Sequence, residues 1–241
     1  MSERSALIVG AGDAIGAAIL KRFSRAGYNT VGVRRNPEKI ASVISELQKE
    51  GHKAKVLKCD ARKEDEIVEL FSKIETEVAP LEVVVFNVGA NVPMKIMETP
   101  TKKFYKIWEM ACLGGFLTGR EAAKYLVPRK KGTIIFTGAT ASLRGAAGFG
   151  AFASAKSGLR AVAQSLAKEI MPLGIHVAHV VIDAAVDTEF VRQILPQMKP
   201  KRQPDDIVNP DSIAELYYQI HRQSPDAWTF ESDLRPWCEK W

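Results

Sequence analysis

Short apolar runs alternate along this chain with longer segments of helical periodicity, and this alternation constrains the fold more strongly than any other feature. The runs show little change between apolar and polar residues, as is typical of strands covered on both faces. They lie at residues 6–9, 30–33, 53–58, 83–86, 134–136 and 177–182, and an alternating run at 228–234 is the last candidate. Strands that alternate with helices predict βαβ units and a parallel sheet.

The segments between these runs carry apolar residues at helical spacing. Ile15, Ile19 and Phe23 form one such stripe, and Asn36-Pro37 opens the next helix with a predicted N-cap and a proline in the first turn. Residues 101–127 and 149–170 predict two longer helices. We therefore expect an α/β protein with a Rossmann-type, doubly wound parallel sheet of about seven strands and helices on both faces.

No linker or internal repeat divides the sequence, so residues 1–241 are predicted to form a single domain. Pro196, Pro200 and Pro204 interrupt an otherwise apolar stretch near the C-terminal end. Closely spaced prolines limit regular structure, so residues 189–209 are predicted to form a partly helical flap over a substrate site.

Composition and charge exclude several classes of function. The formal net charge is +6, but the basic residues are scattered along the chain, which argues against nucleic-acid binding. No apolar run reaches the ~20 residues that a membrane span needs. The three cysteines lack the spacing of a metal or disulfide motif. We therefore expect a cytoplasmic protein without a metal site and without a membrane partner.

A glycine-rich turn connects the first apolar run to the first helical stripe. It contains Gly10, Gly12 and Gly16, with Ala14 and Ile15 before the last glycine. Such a turn brings backbone N–H groups and a helix N-terminus against a pyrophosphate. The alternative is a tight βα turn in which Gly16 only allows close packing. The βαβ context favours nucleotide binding.

The second apolar run ends at Arg34 and Arg35, where dinucleotide-binding folds contact the adenosine ribose. An acidic residue at this place binds a free 2′-hydroxyl, whereas arginine matches a 2′-phosphate. NADP(H) is therefore predicted over NAD(H). The alternative is that the arginines only cap the sheet edge, and Asp13 is an acidic residue that could lie near the same pocket.

These residues resemble the short-chain dehydrogenase/reductase family over essentially the whole chain. The family's TGxxxGxG turn corresponds to residues 9–16, and its acidic residue after the third strand, which contacts adenine, corresponds to Asp60. The family's NNAG stretch corresponds to residues 86–89, in which Asn87 and Gly89 are kept. The resemblance implies that these residues contact the cofactor.

The same resemblance locates the family's Asn-Ser-Tyr-Lys tetrad. Its YxxxK motif begins here at Phe152 and ends at Lys156, and the residue thirteen positions before Phe152 is Ala139. Cys112 stands at the asparagine position. Only Lys156 remains, and the resemblance implies that it binds the nicotinamide ribose; the alternative is an exposed helix lysine. Thr188 matches the threonine that holds the nicotinamide carboxamide.

The residues at the tyrosine and serine positions are not expected to support the carbonyl reduction that is usual in the family. Phenylalanine and alanine neither donate a proton nor hold an oxyanion, and each loss is expected to cost about 10²-fold or more in rate. Asp183 ends a buried strand, so it is a candidate proton donor, and a turn-capping aspartate is the alternative. Cys112 is favoured as a small core residue over a reactive thiol. His179, within a strand, is expected to be structural.

The leading hypothesis is an NADP(H)-dependent oxidoreductase with an atypical active site. Its small-molecule substrate would need a hydride but little help from a protein acid, as a preformed iminium or a conjugated system does. The alternative is a cofactor-binding protein or sensor without redox turnover. The resemblance also implies a homodimer or homotetramer, with the helices at 101–127 and 149–170 and the strand at 228–234 at the contacts.

Overall fold

The computed structural model describes residues 3–189, 191–193 and 205–239. Its strands are β1 (Ser5–Val9), β2 (Asn29–Arg34), β3 (Ala54–Lys58), β4 (Leu81–Phe86), β5 (Thr133–Thr137), β6 (His176–Ile182) and β7 (Glu231–Leu234). They form one seven-stranded sheet in the order β3-β2-β1-β4-β5-β6-β7. Every neighbouring pair is parallel. The Rossmann-type sheet predicted from the sequence is confirmed.

Helices connect these strands. They are α1 (Ile15–Arg25), α2 (Ala41–Lys49), α3 (Glu64–Glu77), α4 (Thr101–Trp108), α5 (Gly114–Leu126), α6 (Gly150–Ile170) and α7 (Pro210–His221). A π-helical turn (Glu109–Leu113) joins α4 to α5, so the long helix predicted at 101–127 is interrupted in its middle. The helix predicted at 149–170 is present as α6.

Two apolar cores lie on opposite faces of the sheet. On one face α3, α5 and α6 contribute buried side chains such as Phe71, Leu126 and Leu159. On the other face α1, α2 and α7 contribute side chains such as Phe23 and Tyr217. Because the strands are covered on both sides, they can be apolar throughout their length.

The order of the sheet reverses between β1 and β4. The strands β1, β2 and β3 extend in one direction, and β4 to β7 extend in the other from the opposite edge of β1. At such a reversal the connecting loops diverge and leave a crevice at the carboxyl ends of the strands. Gly10 follows β1 and Asn87 follows β4, so both lie at this crevice.

Helix α7 is missing from the sequence-based prediction. It begins with an N-cap at Asn209, whose side-chain oxygen accepts a hydrogen bond from the Asp211 amide at 2.9 Å. By contrast, Asn36 makes no side-chain capping bond, although it also precedes a proline. Asn36 occupies the N-cap position of a 3₁₀ turn (Pro37–Ile40) with the proline in its first turn, as predicted, but the turn is capped without a side-chain bond.

The last strand begins three residues later than predicted. Trp228 stacks on the ring of His176, with 4.9 Å between the ring centroids. The Thr229 amide donates to the side-chain oxygen of Gln223 at 2.8 Å, so it is not available to a neighbouring strand. The strand therefore covers Glu231–Leu234, rather than 228–234.

The predicted flap at 189–209 lies largely outside the described residues, and so do its three prolines. Among the helices described above, none is long and apolar enough to cross a membrane.

Candidate active site

The glycine-rich turn after β1 is held against the end of β4. Gly10 has a φ of +91°, which disfavours any side chain, and a Cβ there would lie 2.6 Å from the Asn87 carbonyl oxygen. The Asn87 side-chain amide also donates to the Gly10 carbonyl at 3.1 Å. Glycine at position 10 allows the chain after β1 to pack closely against the chain after β4. The hydrogen bond from the Asn87 side chain holds the turn in this place.

The rest of the turn leaves backbone open to a ligand. No atom of the described chain lies within 4 Å of the place where a Cβ on Gly12 would be. Helix α1 begins at Ile15, and Ala14 supplies no side-chain cap. The Ala17 and Ala18 amides donate to the Gly12 and Ala14 carbonyls, whereas the N–H groups of Ile15 and Gly16 are left at the positive end of the helix dipole. Open backbone and an uncapped helix N-terminus fit a pyrophosphate.

Most of the predicted cofactor residues line one cavity of about 530 Å³ beside this turn. They are Gly10, Gly12, Arg34, Arg35, Asp60, Asn87 and Gly89. Lys39 and Arg62 line the same cavity, although the sequence motifs do not point to them. The structure thus gathers residues from the ends of β1, β2, β3 and β4 around one cleft with an excess of positive side chains.

The basic side chains of this cavity differ in their contacts. Arg62 forms a salt bridge with Asp60, and its hydrogen bonds are the main reason why the pKa of the Asp60 carboxyl lies below its ordinary value. Arg34 reaches the Ala11 carbonyl at a long 3.4 Å. Asp60 is paired with Arg62 and also interacts with Arg35, so one carboxylate faces four basic side chains and an excess of positive charge remains in this cavity.

Thr188 lies on the other side of the glycine-rich turn. It lines a second cavity of about 480 Å³ together with Asp13 and Ala14. The Thr188 hydroxyl accepts a hydrogen bond from the Val191 amide at 3.1 Å, so it caps the short helical turn that follows. Asp13 does not line the cavity of Arg34 and Arg35. The acidic residue therefore lies apart from the predicted 2′-phosphate site.

Lys156 lies on α6 and is only 4% exposed, and its amine is close to Val88 and Gly89, which line the cleft. Its ammonium donates to the Thr137 carbonyl at 2.7 Å and to the Val88 carbonyl at 3.3 Å. Burial lowers the pKa of this amine to about 8. A Cβ on Gly89 would lie 3.3 Å from the amine nitrogen, so the glycine leaves the ammonium uncovered on that side. The third N–H of the ammonium is available to a ligand.

The positions of the missing hydroxyls form an apolar wall. Phe152 packs with Ala139, Ala141 and Ala153 in a small buried cluster. The nearby hydroxyls have other partners: Thr140 donates to Asp183, Ser142 accepts from the Ala139 amide, Ser154 donates to Ala151, and Ser157 donates to Ala141.

Cys112 and His179 have structural surroundings. The Cys112 thiol lies in the contact between the π-helical turn and α6, 2.8 Å from the place where a Cβ on Gly158 would be. Burial raises the pKa of this thiol, which disfavours a reactive thiolate. His179 accepts or donates a hydrogen bond at 3.0 Å to Glu231, and burial lowers its pKa to about 4.

Asp183 lies at the end of β6, and its side chain is 3% exposed. Its carboxylate accepts a hydrogen bond from Thr140, and it contacts Arg144 at 3.4 Å and Arg235 at 3.6 Å. Three side chains therefore hold the Asp183 carboxylate in place at the end of β6.

Comparison with known proteins identifies the family. A family model described as short chain dehydrogenase matches residues 4–199. The 2-dehydro-3-deoxy-D-gluconate 5-dehydrogenase of Formosa agariphila is 33% identical over 165 residues, which are 68% of this chain and 62% of that relative, so the match spans less than two thirds of its length. The 2,3-dihydro-2,3-dihydroxybenzoate dehydrogenase of Bacillus subtilis is 27% identical over 185 residues, covering 77% of this chain and 70% of the relative.

Solved structures agree with the sequence matches. A short-chain dehydrogenase from Rhodopseudomonas palustris is 44% identical and superposes with a TM-score of 0.84, covering 97% of this chain and 99% of that one. A metagenomic short-chain oxidoreductase in complex with NADP has the same TM-score of 0.84 at 22% identity, covering 98% of each chain, and shows the shared fold. This chain belongs to the short-chain dehydrogenase/reductase family.

Proposed function

We propose that this protein is an NADP(H)-dependent oxidoreductase whose active site supplies no hydroxyl as a proton donor. One observation carries the proposal. The ammonium of Lys156 is held against Val88 and Gly89 of the cleft lining, while an apolar wall of Phe152 and Ala139 stands where the family has hydroxyls. These residues support binding of the cofactor, and the positions of Phe152 and Ala139 offer no hydroxyl that could donate a proton.

The residues around the cleft fit a phosphorylated dinucleotide. The open backbone at Gly12 and the uncapped start of α1 suit the pyrophosphate, and the third N–H of Lys156 suits a ribose hydroxyl. Arg34, Arg35 and Lys39 offer positive charge to a 2′-phosphate. Affinity for NADPH is therefore expected to exceed affinity for NADH by tenfold or more, because charge-assisted hydrogen bonds contribute roughly 1.5–3 kcal/mol each.

The reduced nicotinamide supplies a hydride when it is bound. An iminium carbon accepts a hydride without a proton from the protein, because the positive charge on nitrogen is neutralised in the same step. A conjugated system takes the hydride at its β-carbon and gains its proton afterwards from solvent or from Asp183. Phe152 and Ala139 would exclude water and present an apolar surface to such a substrate. Iminium and conjugated compounds are therefore the proposed substrate class.

The test is a substrate panel followed by the fall in NADPH absorbance. The panel pairs simple ketones and aldehydes with a cyclic iminium salt and an enone. We expect oxidation of NADPH with the iminium or the enone, and rates near background with ketones. Lys156→Met should abolish the activity, whereas Lys168→Met, which changes an exposed lysine of the same helix, should leave it unchanged.

A sensor without redox turnover is the second candidate function. The loss of both hydroxyls at Phe152 and Ala139 favours it, since a binding protein has no need of them. In this case NADPH would bind with the preference described above, but none of the panel compounds would be reduced.

We also propose a homodimer or homotetramer. Several large side chains of α4 and α5 are partly exposed, namely Phe104, Tyr105, Trp108 and Phe116. An aromatic surface of this kind is characteristic of an interface. A monomeric mass by light scattering at micromolar concentration would contradict this proposal.

A cytoplasmic location is proposed from the three free cysteines, and imaging of the labelled protein would test it.

A further inference from the structure

A cluster of charged side chains lies beside the apolar wall, at the carboxyl ends of β5, β6 and β7. It consists of Arg144, Asp183, Asp233 and Arg235, and it is called the arginine–aspartate cluster below. The carboxyl ends of parallel strands are where open α/β sheets bind their ligands. None of these four residues lines the cavity that gathers the predicted cofactor residues, so the cluster calls for a separate explanation.

The chain between β5 and α6 folds back to place Arg144 at this site. The Arg144 amide donates to the Thr140 carbonyl at 3.2 Å, which closes a turn directly after Ala139. The Thr140 hydroxyl donates a hydrogen bond to the Asp183 carboxylate. The Arg144 guanidinium contacts the same carboxylate. Arg144 is therefore linked through Asp183 to Thr140, whose neighbours Ala139 and Ala141 belong to the apolar wall.

The contact between Arg144 and Asp183 is loose. One terminal nitrogen of the guanidinium lies 3.4 Å and 3.5 Å from the two carboxylate oxygens, whereas well-formed charge-assisted hydrogen bonds are about 2.7–2.9 Å long. The Arg144 side chain is 48% exposed, against 3% for Asp183 and 15% for Arg235. Asp183 thus orients Arg144 but uses few of its five N–H donors, and the other donors remain available to a ligand.

The surroundings specify the ligand further. The two arginines and two aspartates of the cluster sum to zero formal charge, so a monoanion suits the site better than a dianion does. The wall next to it is apolar and contains Phe152 and Ala141. A carboxylate on an apolar body matches both features, because a planar carboxylate fits the edge of a guanidinium.

We propose that Arg144 binds a carboxylate group of the substrate and thereby orients its reacting carbon over the apolar wall. This inference rests on the proposed function, since it names the substrate class for the same site. Together the two proposals describe a carboxylate-bearing iminium or conjugated compound. Asp183 and Arg235 act as positioning residues for Arg144.

Binding of matched acid and amide probes tests the proposal without any need for turnover. Benzoate and benzamide, and a longer pair, cinnamate and cinnamamide, are titrated by calorimetry into the protein with and without saturating NADP⁺. We expect each acid to bind at least tenfold more tightly than its amide. Arg144→Gln should remove this difference, while Arg144→Lys, which keeps the charge, should retain part of it. Arg25→Gln is the control, because Arg25 is similarly exposed at 51% but lies on a distant helix.

The outcomes separate the two proposals. Failure of NADP⁺ and NADPH to bind would contradict the proposed function, while the acid–amide difference could still be measured on the cofactor-free protein. An equal affinity for acid and amide in both pairs, or a difference that persists in Arg144→Gln, would overturn the role of Arg144. Tighter binding of inorganic phosphate at the same residue would overturn the assignment to a carboxylate.

Discussion

Replacing Lys156 by methionine is expected to stabilise the cofactor-free protein at neutral pH, although it damages the proposed site. The amine is buried, and its pKa falls from an ordinary value of 10.5 to about 8. At ~1.36 kcal/mol per pKa unit, this difference corresponds to roughly 3 kcal/mol by which burial disfavours the charged form. Methionine has a similar shape and no charge, so this cost disappears.

Part of this gain in the free energy of unfolding is offset by the loss of hydrogen bonds. The carbonyls of Thr137 and Val88 lose the hydrogen bonds that they accept from Lys156, and each lost bond costs roughly 0.5–1.5 kcal/mol. At pH 7 the Lys156→Met variant should therefore unfold with a free energy about 1–2 kcal/mol above that of the native protein. Urea titration followed by circular dichroism measures this difference.

The dependence on pH is the sharper part of the prediction. Between pH 8 and pH 10.5 the unfolded chain keeps the proton of Lys156 while the folded chain has lost it, so the unfolded state binds more protons and stability rises with pH. The unfolding free energy of Lys156→Met relative to the native protein should thus fall by roughly 3 kcal/mol across this range, so that the variant changes from more stable at pH 7 to less stable at pH 10.5. Lys168→Met, an exposed change on the same helix, should stay within about 0.5 kcal/mol of the native protein throughout. A variant that is less stable at pH 7, with no change in the difference up to pH 10.5, would refute the reasoning.

Three further predictions concern binding and chemistry. Replacing Arg34 and Arg35 together by alanine should remove most of the preference for NADPH in a fluorescence titration, and an unchanged preference would contradict their role. Ala139→Ser combined with Phe152→Tyr should raise ketone reduction well above either single change, because the two hydroxyls act as a unit; equal effects of the single and double variants in the NADPH assay would count against this. Asp183→Asn should weaken benzoate binding by about tenfold through Arg144 and leave NADPH affinity nearly unchanged. A loss of turnover without any loss of benzoate binding would instead identify Asp183 as the proton source.

The sequence predicts the parts of the site that depend on local structure. Gly10 and Gly12 lie in one βα turn, and Arg34 follows directly from its strand, so their places in the cleft follow from the order of elements alone. The replacements at Ala139 and Phe152 are visible from a motif within one strand–loop–helix segment. Such features need no knowledge of long-range contacts.

Other parts of the site depend on tertiary packing. Lys39 and Arg62 belong to different βα units. They line the same cavity because β2 and β3 are neighbours in the sheet. Arg144, Asp183 and Arg235 likewise converge from three strand ends, and no sequence pattern links them. Their meeting becomes predictable only when the strand order is known.

The errors in the predicted elements have local causes. Helix α7 carries the Asn-Pro start and a buried stripe that includes Ile213 and Tyr217, so a signal for it was present in the sequence. The start of β7 was wrong because Trp228 and Thr229 alternate as strand residues do, while their side-chain and backbone partners hold them outside the ladder.

The most direct test of the central claim is the rate of NADPH oxidation by the native protein with a ketone and with an iminium or enone of the same carbon skeleton. The apolar wall at Phe152 and Ala139 predicts measurable oxidation with the iminium or enone, and a ketone rate lower by a factor of about 10² or more. Rapid reduction of the ketone, or binding of NADPH with no oxidation by any compound, would contradict it.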